Sequence, residues 1–147
     1  MPTEKENAAT TTIELTPPQG FAIDSFAPSP GWKRTVSQTG SGEDATVTKV
    51  TWTGGHTPTD EDSVFGFLAS TSGNGTYTFD VKQTYSDGSI VEWNGPESAD
   101  APAPVVKAVS SFGGGTSALA WVALIVGIVG VVLGVIALLV RSGRELA

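Results

Sequence analysis

The fold is decided by the stretch Thr76-Tyr77-Thr78-Phe79-Asp80-Val81-Lys82, along which apolar residues alternate with polar or charged ones. Successive side chains of a β-strand point to opposite faces, so Tyr77, Phe79 and Val81 are expected on one face. One apolar face and one polar face are typical of a sheet that packs against a core on one side and meets water on the other. The stretch therefore predicts an antiparallel sheet.

The same period of two recurs on both sides of this stretch. Ile13 and Leu15 share a face, and so do Val50 and Trp52. The run Tyr85-Ser86-Asp87-Gly88-Ser89-Ile90 predicts a tight hairpin turn, because Asp-Gly favours the positive φ that such turns need. We count six or seven short, Thr-rich strands. They predict an all-β antiparallel sandwich of cupredoxin-like or immunoglobulin-like type.

The run Ser63–Ser70 has apolar residues on both faces. Phe65 and Phe67 share one face, while Val64 and Leu68 share the other. This pattern predicts a strand that is covered on both sides.

A charge-free stretch, Ala118–Val140, comes near the end of the chain. A helix rises ~1.5 Å per residue, so this stretch spans ~34 Å and exceeds a hydrocarbon core of ~30 Å. It predicts one C-terminal transmembrane α-helix that meets the lipid bilayer. Arg141 and Arg144 follow at once, so the positive-inside rule predicts a single-pass protein of the cell membrane with a cytoplasmic C-terminus. Gly130 and Gly134 have the spacing of dimerising helices, which makes a weak homodimer an open alternative.

The chain thus divides into segments of different character. Its 15 acidic and 8 basic side chains give a net charge of −7, so an acidic outer domain repels phosphate backbones and excludes nucleic acid as a partner. Met1–Thr12 lacks the basic and apolar regions of a signal peptide, so we expect an export signal upstream of Met1 or export by the span itself. We assign residues 1–104 to the sandwich, 105–117 to a flexible tether, 118–140 to the transmembrane helix and 141–147 to a cytoplasmic tail.

Few side chains in the sequence suit catalysis. The absence of Cys excludes disulfides, zinc–thiolate sites and Cys nucleophiles. The single histidine, His56, is expected in an exposed loop, Gly54–Pro58, and no nucleophile motif accompanies it. Asp60-Glu61-Asp62 lacks the spacing of a calcium loop and is expected to be solvated. We therefore expect no catalytic residues and no enzyme activity.

Three stretches together resemble the YcnI-like copper-binding domain family in their order and spacing. They are Phe26-Ala-Pro-Ser-Pro-Gly-Trp32, Val50-Thr-Trp-Thr-Gly-Gly55 and Gln83-Thr-Tyr-Ser-Asp-Gly-Ser-Ile-Val-Glu-Trp93. The resemblance covers about Thr3 to Pro104. It implies a β-sandwich outside the membrane, often followed by one C-terminal span, with copper(II) as the bound ion and copper-transport membrane proteins as partners.

The resemblance also implies a metal site. Members of the family hold copper(II) through the amine and imidazole of an N-terminal histidine, and a carboxylate and a nearby tryptophan complete the site. Onto this chain the resemblance carries Glu92 and Trp93 as metal-site residues. Pro2 already resembles the start of the family's second strand, so the signal peptide, the histidine and the first strand are expected upstream of Met1.

Strand geometry leaves alternatives open for both residues. Glu92 and Trp93 are neighbours on a strand and point to opposite faces, so they approach one metal only at a strand end or bulge. Trp93 shares a face with Val91 and is alternatively a core residue, and Glu92 is alternatively a solvated carboxylate. A carboxylate alone binds copper(II) weakly, because imidazole and amine nitrogens supply most of the affinity. We therefore expect weak or absent copper binding by this exact chain.

Two functions remain after these arguments. The first is a membrane-anchored extracytoplasmic copper-binding protein that takes part in copper handling. The alternative is a metal-free adhesion or structural stalk module on a membrane anchor, since a sandwich, a tether and a span are common to both.

Overall fold

The computed structural model describes residues 1–110, 121–128 and 131, and the chain divides into two compact units, Met1–Ser110 and Ser111–Ala147. Within the described part, the first unit contains one 3-10 turn, Gly42–Asp44, and nine β-strands. The strands are β1 (Thr10–Thr16), β2 (Phe21–Phe26), β3 (Lys33–Thr39), β4 (Thr46–Thr57), β5 (Phe67–Thr71), β6 (Gly75–Thr78), β7 (Asp80–Tyr85), β8 (Ile90–Trp93) and β9 (Val105–Ala108).

The strands form three antiparallel sheets. A five-stranded sheet has the order β3-β4-β1-β7-β8, and two smaller sheets pair β2 with β5 and β6 with β9. The expected all-β antiparallel architecture is confirmed. The described residues hold more strands than the six or seven expected, partly because residues 105–108, assigned to the tether from sequence, pair with β6 as β9.

The alternating stretch crosses from one sheet to another. β6 ends at Thr78 and β7 begins at Asp80, and the backbone N–H of Phe79 donates to the carbonyl of Pro104 at 2.9 Å. Tyr77, Phe79 and Val81 are nevertheless all buried in one apolar cluster, which confirms that they share a face. The alternation survives the change of sheet because both sheets face the same core.

The core lies between the five-stranded sheet and the β2–β5 pair. Val50 and Trp52 of β4 are both buried in this core. Across from them, the ring of Phe26 of β2 lies 6.3 Å from that of Trp52, and the ring of Phe21 lies 4.7 Å from that of Phe79, both in edge-to-face geometry. Such pairs contribute about 0.5–1.5 kcal/mol beyond the burial of apolar area. The aromatic contacts therefore hold the two layers together.

The prediction of a strand covered on both sides within Ser63–Ser70 is wrong. β5 begins only at Phe67, and Phe65 and Phe67 pack against the core. Val64 and Leu68 are 82% and 71% exposed. β5 pairs with β2 alone, and the exposure of Leu68 shows that the outer face of this strand meets solvent.

Residues 121–128 and 131 are helical. No helix among the described residues is long and apolar enough to cross a membrane. Gly130, Gly134, the tail at 141–147 and most of the predicted span at 118–140 lie outside the described residues. The transmembrane helix, the dimer and the first strand expected upstream of Met1 therefore stay predictions.

Candidate functional site

The β7–β8 hairpin presents the two residues that the family resemblance selects. Gly88, at φ 82°, donates its N–H to the carbonyl of Tyr85 at 3.0 Å, and the N–H of Tyr85 donates to Ser89 at 2.9 Å. This is a type I turn closed by a glycine bulge, so the predicted Asp-Gly turn is confirmed. The turn fixes a register in which Trp93 lies opposite Val81 and Glu92 lies opposite Lys82.

The turn is also tied to the start of the chain. Asp87 accepts hydrogen bonds from the N–H and the hydroxyl of Ser89, at 2.9 and 2.6 Å, and it forms an ion pair with Lys5. The hydrogen bond from Lys5, followed by those from Ser89, holds the pKa of Asp87 well below its usual range. Burial, followed by the charge of Glu4, raises the pKa of the neighbouring Tyr85.

Trp93 lies on the inner face of β8 and is half-buried against the core. Its indole N–H donates to the side-chain oxygen of Gln83 at 3.0 Å. Gln83 has no exposed surface, and its Nε2 donates to the carbonyl of Pro2 at 2.9 Å and to Oγ1 of Thr10 at 2.7 Å. The side chain of Gln83 therefore connects Trp93 to the first residues of the chain.

The connection continues through two buried hydroxyls. Oγ1 of Thr3 lies 2.6 Å from Oγ1 of Thr10 and donates to the carbonyl of Thr57 at 2.7 Å. We refer to these linked groups as the Gln83 network, which consists of the side chains of Thr3, Thr10, Gln83 and Trp93 and the carbonyls of Pro2 and Thr57.

Gln83 begins the third stretch of the family resemblance, but no role was predicted for it, because a glutamine in a strand does not reveal its buried hydrogen-bond partners. The available signal was the period of two, which puts Gln83 on the same face as Val81 and Tyr85. All three are buried in the structure.

Glu92 points to the other face of the sheet and is exposed. It lines an open crevice of about 190 Å³, in which Lys49 donates to Glu14 at 3.0 Å. The full lining consists of Glu14, Thr16, Lys49, Asp80, Val81, Lys82, Glu92 and Asn94. Glu92 and Trp93 thus lie on opposite faces of β8, and only the position of Trp93 at the strand end allows them to approach one ion.

The acidic run lies beside the first residues of the chain. Pro2 and Asp62 form an isolated antiparallel bridge, and the N–H of Ser63 donates to the carbonyl of Met1 at 3.2 Å. Asp60 and Asp62 are exposed. This arrangement was not predicted from the sequence, because it depends on pairing between residues far apart in the chain.

His56 lies within a strand, not in the loop that we expected. β4 continues to Thr57, and His56 is exposed on it. Gly54 takes a left-handed conformation at φ 77°, and the β1–β4 register shifts at this point, so the two glycines form an irregularity instead of ending the strand. Glycine at this point is typical of a bulge.

The described residues do not form a complete metal site. No group of three or more His, Cys, Asp or Glu side chains in this part of the chain is arranged to hold a metal ion. Copper(II) affinity in proteins comes mainly from nitrogen ligands, and the one imidazole belongs to no such group. The described chain offers a tryptophan held by a polar network, with the exposed carboxylate of Glu92 next to it in sequence and that of Asp62 opposite Pro2.

Three comparisons give this geometry a context. The family model described as "Domain of unknown function (DUF1775)" matches residues 1–108. The "Copper-binding protein CutI" of Bacillus subtilis (strain 168) is 33% identical over 114 residues, which cover 76% of this chain and 53% of CutI. The chain therefore spans about half the length of that curated relative. A crystal structure of an uncharacterized Nocardia farcinica protein with an immunoglobulin-like fold has a TM-score of 0.54 and 31% identity, covering 75% of this chain and 84% of that one.

Proposed function

This chain belongs to the YcnI-like family described by the DUF1775 model, and on that premise we propose that it is a membrane-anchored, extracytoplasmic protein that handles copper(II). The observation that carries the proposal is its 33% identity to a copper-binding protein over 114 residues. No corresponding observation favours a metal-free stalk. Copper is the cargo of this protein, and its partners are the lipid bilayer and copper-transport membrane proteins.

We place the copper-binding surface at the end of β8, around Trp93. This indole is held by Gln83, which also binds the carbonyl of Pro2. The first residues of the chain are therefore linked to the tryptophan through the side chain of Gln83. A site at a strand end is also the only position where β8 presents Glu92 and Trp93 to one ion.

Two carboxylates, those of Glu92 and Asp62, are candidate ligands at this surface. Glu92 is the residue that the resemblance carries, but Lys49 and Lys82 line the same crevice, and their positive charges disfavour a bound cation there. Asp62 is exposed, and its backbone pairs with Pro2, whose carbonyl binds Gln83. We propose Asp62 as the first candidate carboxylate, because its backbone pairs with the segment that Gln83 links to Trp93, with Glu92 as the second candidate.

The donors of this chain support only weak binding. An indole and a carboxylate lack the imidazole and amine nitrogens that supply most copper(II) affinity, and the described residues hold no group of three ligand side chains. We expect one copper(II) ion to bind with low affinity and to exchange readily, which suits transfer to a partner better than storage.

The test is a copper(II) titration of the full chain in a non-chelating detergent, followed by NMR. Paramagnetic broadening is expected first at the Trp93 indole N–H and at Thr3. Zinc(II) is the matched control, because it is diamagnetic and reports binding only through signal shifts, which are expected at higher metal concentration since copper(II) has the higher affinity for the same ligands. Broadening that centres on the crevice lined by Glu14 and Asp80, or no saturable broadening at all, contradicts the proposal.

A further inference from the structure

We propose that Gln83 is the positioning residue of the copper-binding surface, because it holds Trp93 and the segment Pro2–Thr3 in one fixed relation. The copper part of this inference rests on the proposed function. The coupling between the two segments rests on the contacts of Gln83 alone, and the two parts are tested separately below.

The partners of Gln83 fix the orientation of its amide. An indole N–H only donates, so the atom that faces Trp93 is Oε1, 3.0 Å away. A backbone carbonyl only accepts, so the atom that faces Pro2 is Nε2, 2.9 Å away. The second Nε2 hydrogen is directed to Oγ1 of Thr10 at 2.7 Å. Both donors and the acceptor are therefore used.

The hydroxyls beyond Gln83 have a fixed direction as well. Thr3 has one hydroxyl hydrogen, and this hydrogen is given to the carbonyl of Thr57. Thr10 therefore donates to Thr3 in the 2.6 Å contact between their hydroxyls, while it accepts from Gln83. A one-way chain of hydrogen bonds of this kind polarises its members and strengthens each bond. The segment that includes Thr3 is thus held by the same chain that holds Trp93.

Packing does not explain a glutamine at this position. Gln83 is completely buried, between Val81 and Tyr85 on the inner face of β7. Removing an amide from water is costly unless its hydrogen bonds are replaced, and an apolar residue would fill the space without that cost. Glutamate has no donor for Pro2, and leucine or methionine has no donor or acceptor of comparable strength. What distinguishes glutamine is that it links the two segments.

The experiment compares the full wild-type chain with Gln83→Met, which keeps the length of the side chain and removes its hydrogen bonds. Hydrogen exchange at the Trp93 indole N–H is expected to accelerate about threefold to tenfold, with a simultaneous shift of the Thr3 amide signal. Amides of the β3–β4 pair, such as Val36 and Val50, are expected to keep their exchange rates. The matched control is Thr11→Val, because the Thr11 hydroxyl donates to the Thr84 carbonyl outside the Gln83 network.

A second variant keeps the proposal testable if Gln83→Met does not fold. Trp93→Phe retains a six-membered aromatic ring and removes the pyrrole ring with its donor to Gln83, so the Gln83 side-chain amide and the Thr3 amide are both expected to shift. Unchanged signals at Thr3 in either folded variant overturn the coupling. Hydrogen exchange that accelerates evenly over the amides of β3 and β4 also overturns the coupling, because it indicates that the whole domain is destabilised.

Copper(II) then separates this inference from the proposed function. In the wild-type chain, copper(II) is expected to broaden Trp93 and Thr3 together, and in Gln83→Met the two are expected to broaden at different copper concentrations. If copper(II) broadens neither residue in the wild-type chain, the proposed function fails while the exchange test of Gln83 still stands. If both residues broaden together in folded Gln83→Met, the positioning role of Gln83 is overturned.

Discussion

The indole ring of Trp32 occupies the space in which a side chain on Gly55 would begin. Trp32 in turn packs edge-to-face on Phe65 at 5.0 Å, and Phe65 lies 4.7 Å from the buried ring of Trp52. The neighbouring Gly54 has open space around it but a left-handed backbone at φ 77°. Glycine is therefore needed at these two positions for different reasons. Gly54 adopts a left-handed backbone conformation, and Gly55 leaves room for the ring of Trp32.

Gly55→Ala is therefore expected to lower the free energy of unfolding by about 1–3 kcal/mol, the usual effect of overpacking. Urea denaturation followed by tryptophan fluorescence measures the change. Gly73→Ala is the control, since a Cβ at Gly73 meets nothing within 4 Å and its φ lies outside the left-handed region. Equal midpoints for Gly55→Ala and the wild-type chain would show that Trp32 moves aside at no cost.

Local patterns predicted those parts of the fold that depend on alternation and turn chemistry. The shared face of Tyr77, Phe79 and Val81 and the Asp-Gly turn are of this kind. The pattern failed at Leu68, because an apolar residue in a strand does not reveal whether another layer covers it. It also missed Gln83 and the proximity of Pro2 to Asp62, because partners far apart in the chain determine the environment of a polar residue.

The difference between Phe79 and Leu68 gives a second prediction. Phe79 is 3% exposed within the core, whereas Leu68 is 71% exposed. Phe79→Ala is expected to lower the free energy of unfolding by about 3–5 kcal/mol, through lost burial and the cavity that remains. Leu68→Ala is expected to change it by no more than about 0.5 kcal/mol. A large effect at Leu68, measured in the same denaturation experiment, would mean that another surface covers β5 in solution.

The ion pair between Asp87 and Lys5 predicts a specific dependence of stability on pH. The pKa of Asp87 is lower in the folded state than in the unfolded chain, where it is about 3.9. Ionised Asp87 therefore contributes fully to the stability of the folded state above that pH, and this contribution is lost progressively as the pH falls below it. Asp87→Asn is expected to reduce stability at neutral pH and to flatten the loss of stability below about pH 4. Thermal unfolding between pH 2 and 7 measures both effects.

Asp100→Asn is the control for this experiment, because the ion pairs found among the described residues are Lys5–Asp87 and Lys49–Glu14. The acid dependence of the control is expected to match that of the wild-type chain. If Asp87→Asn lost stability at low pH as steeply as the wild-type chain does, this loss would have to come from other carboxylates. High salt is expected to reduce the difference in stability between Asp87→Asn and the wild-type chain, because Lys5 and Asp87 are both exposed and salt screens their charges.

The predicted membrane topology is testable because the chain has no cysteine, so that one introduced cysteine is unique. Ser98→Cys, on an exposed residue of the first unit, is expected to react with an impermeant maleimide on intact cells. Ser142→Cys, beyond the charge-free stretch 118–140, is expected to react only after permeabilisation. Equal labelling of both positions on intact cells would exclude a span between them.

The last prediction concerns which carboxylate assists Trp93 in binding copper(II). Asp62 pairs with Pro2, whose carbonyl binds Gln83, whereas Glu92 lies on the opposite face of β8 with Lys49 and Lys82. A nearby lysine disfavours a bound cation, and a side chain on the other face cannot reach the indole without bending the strand end. Asp62→Asn is therefore expected to raise the Kd for copper(II) several-fold, measured by broadening of the Trp93 indole signal, and Glu92→Gln to change it little. The opposite order would mean that the end of β8 turns to bring Glu92 and Trp93 onto one ion.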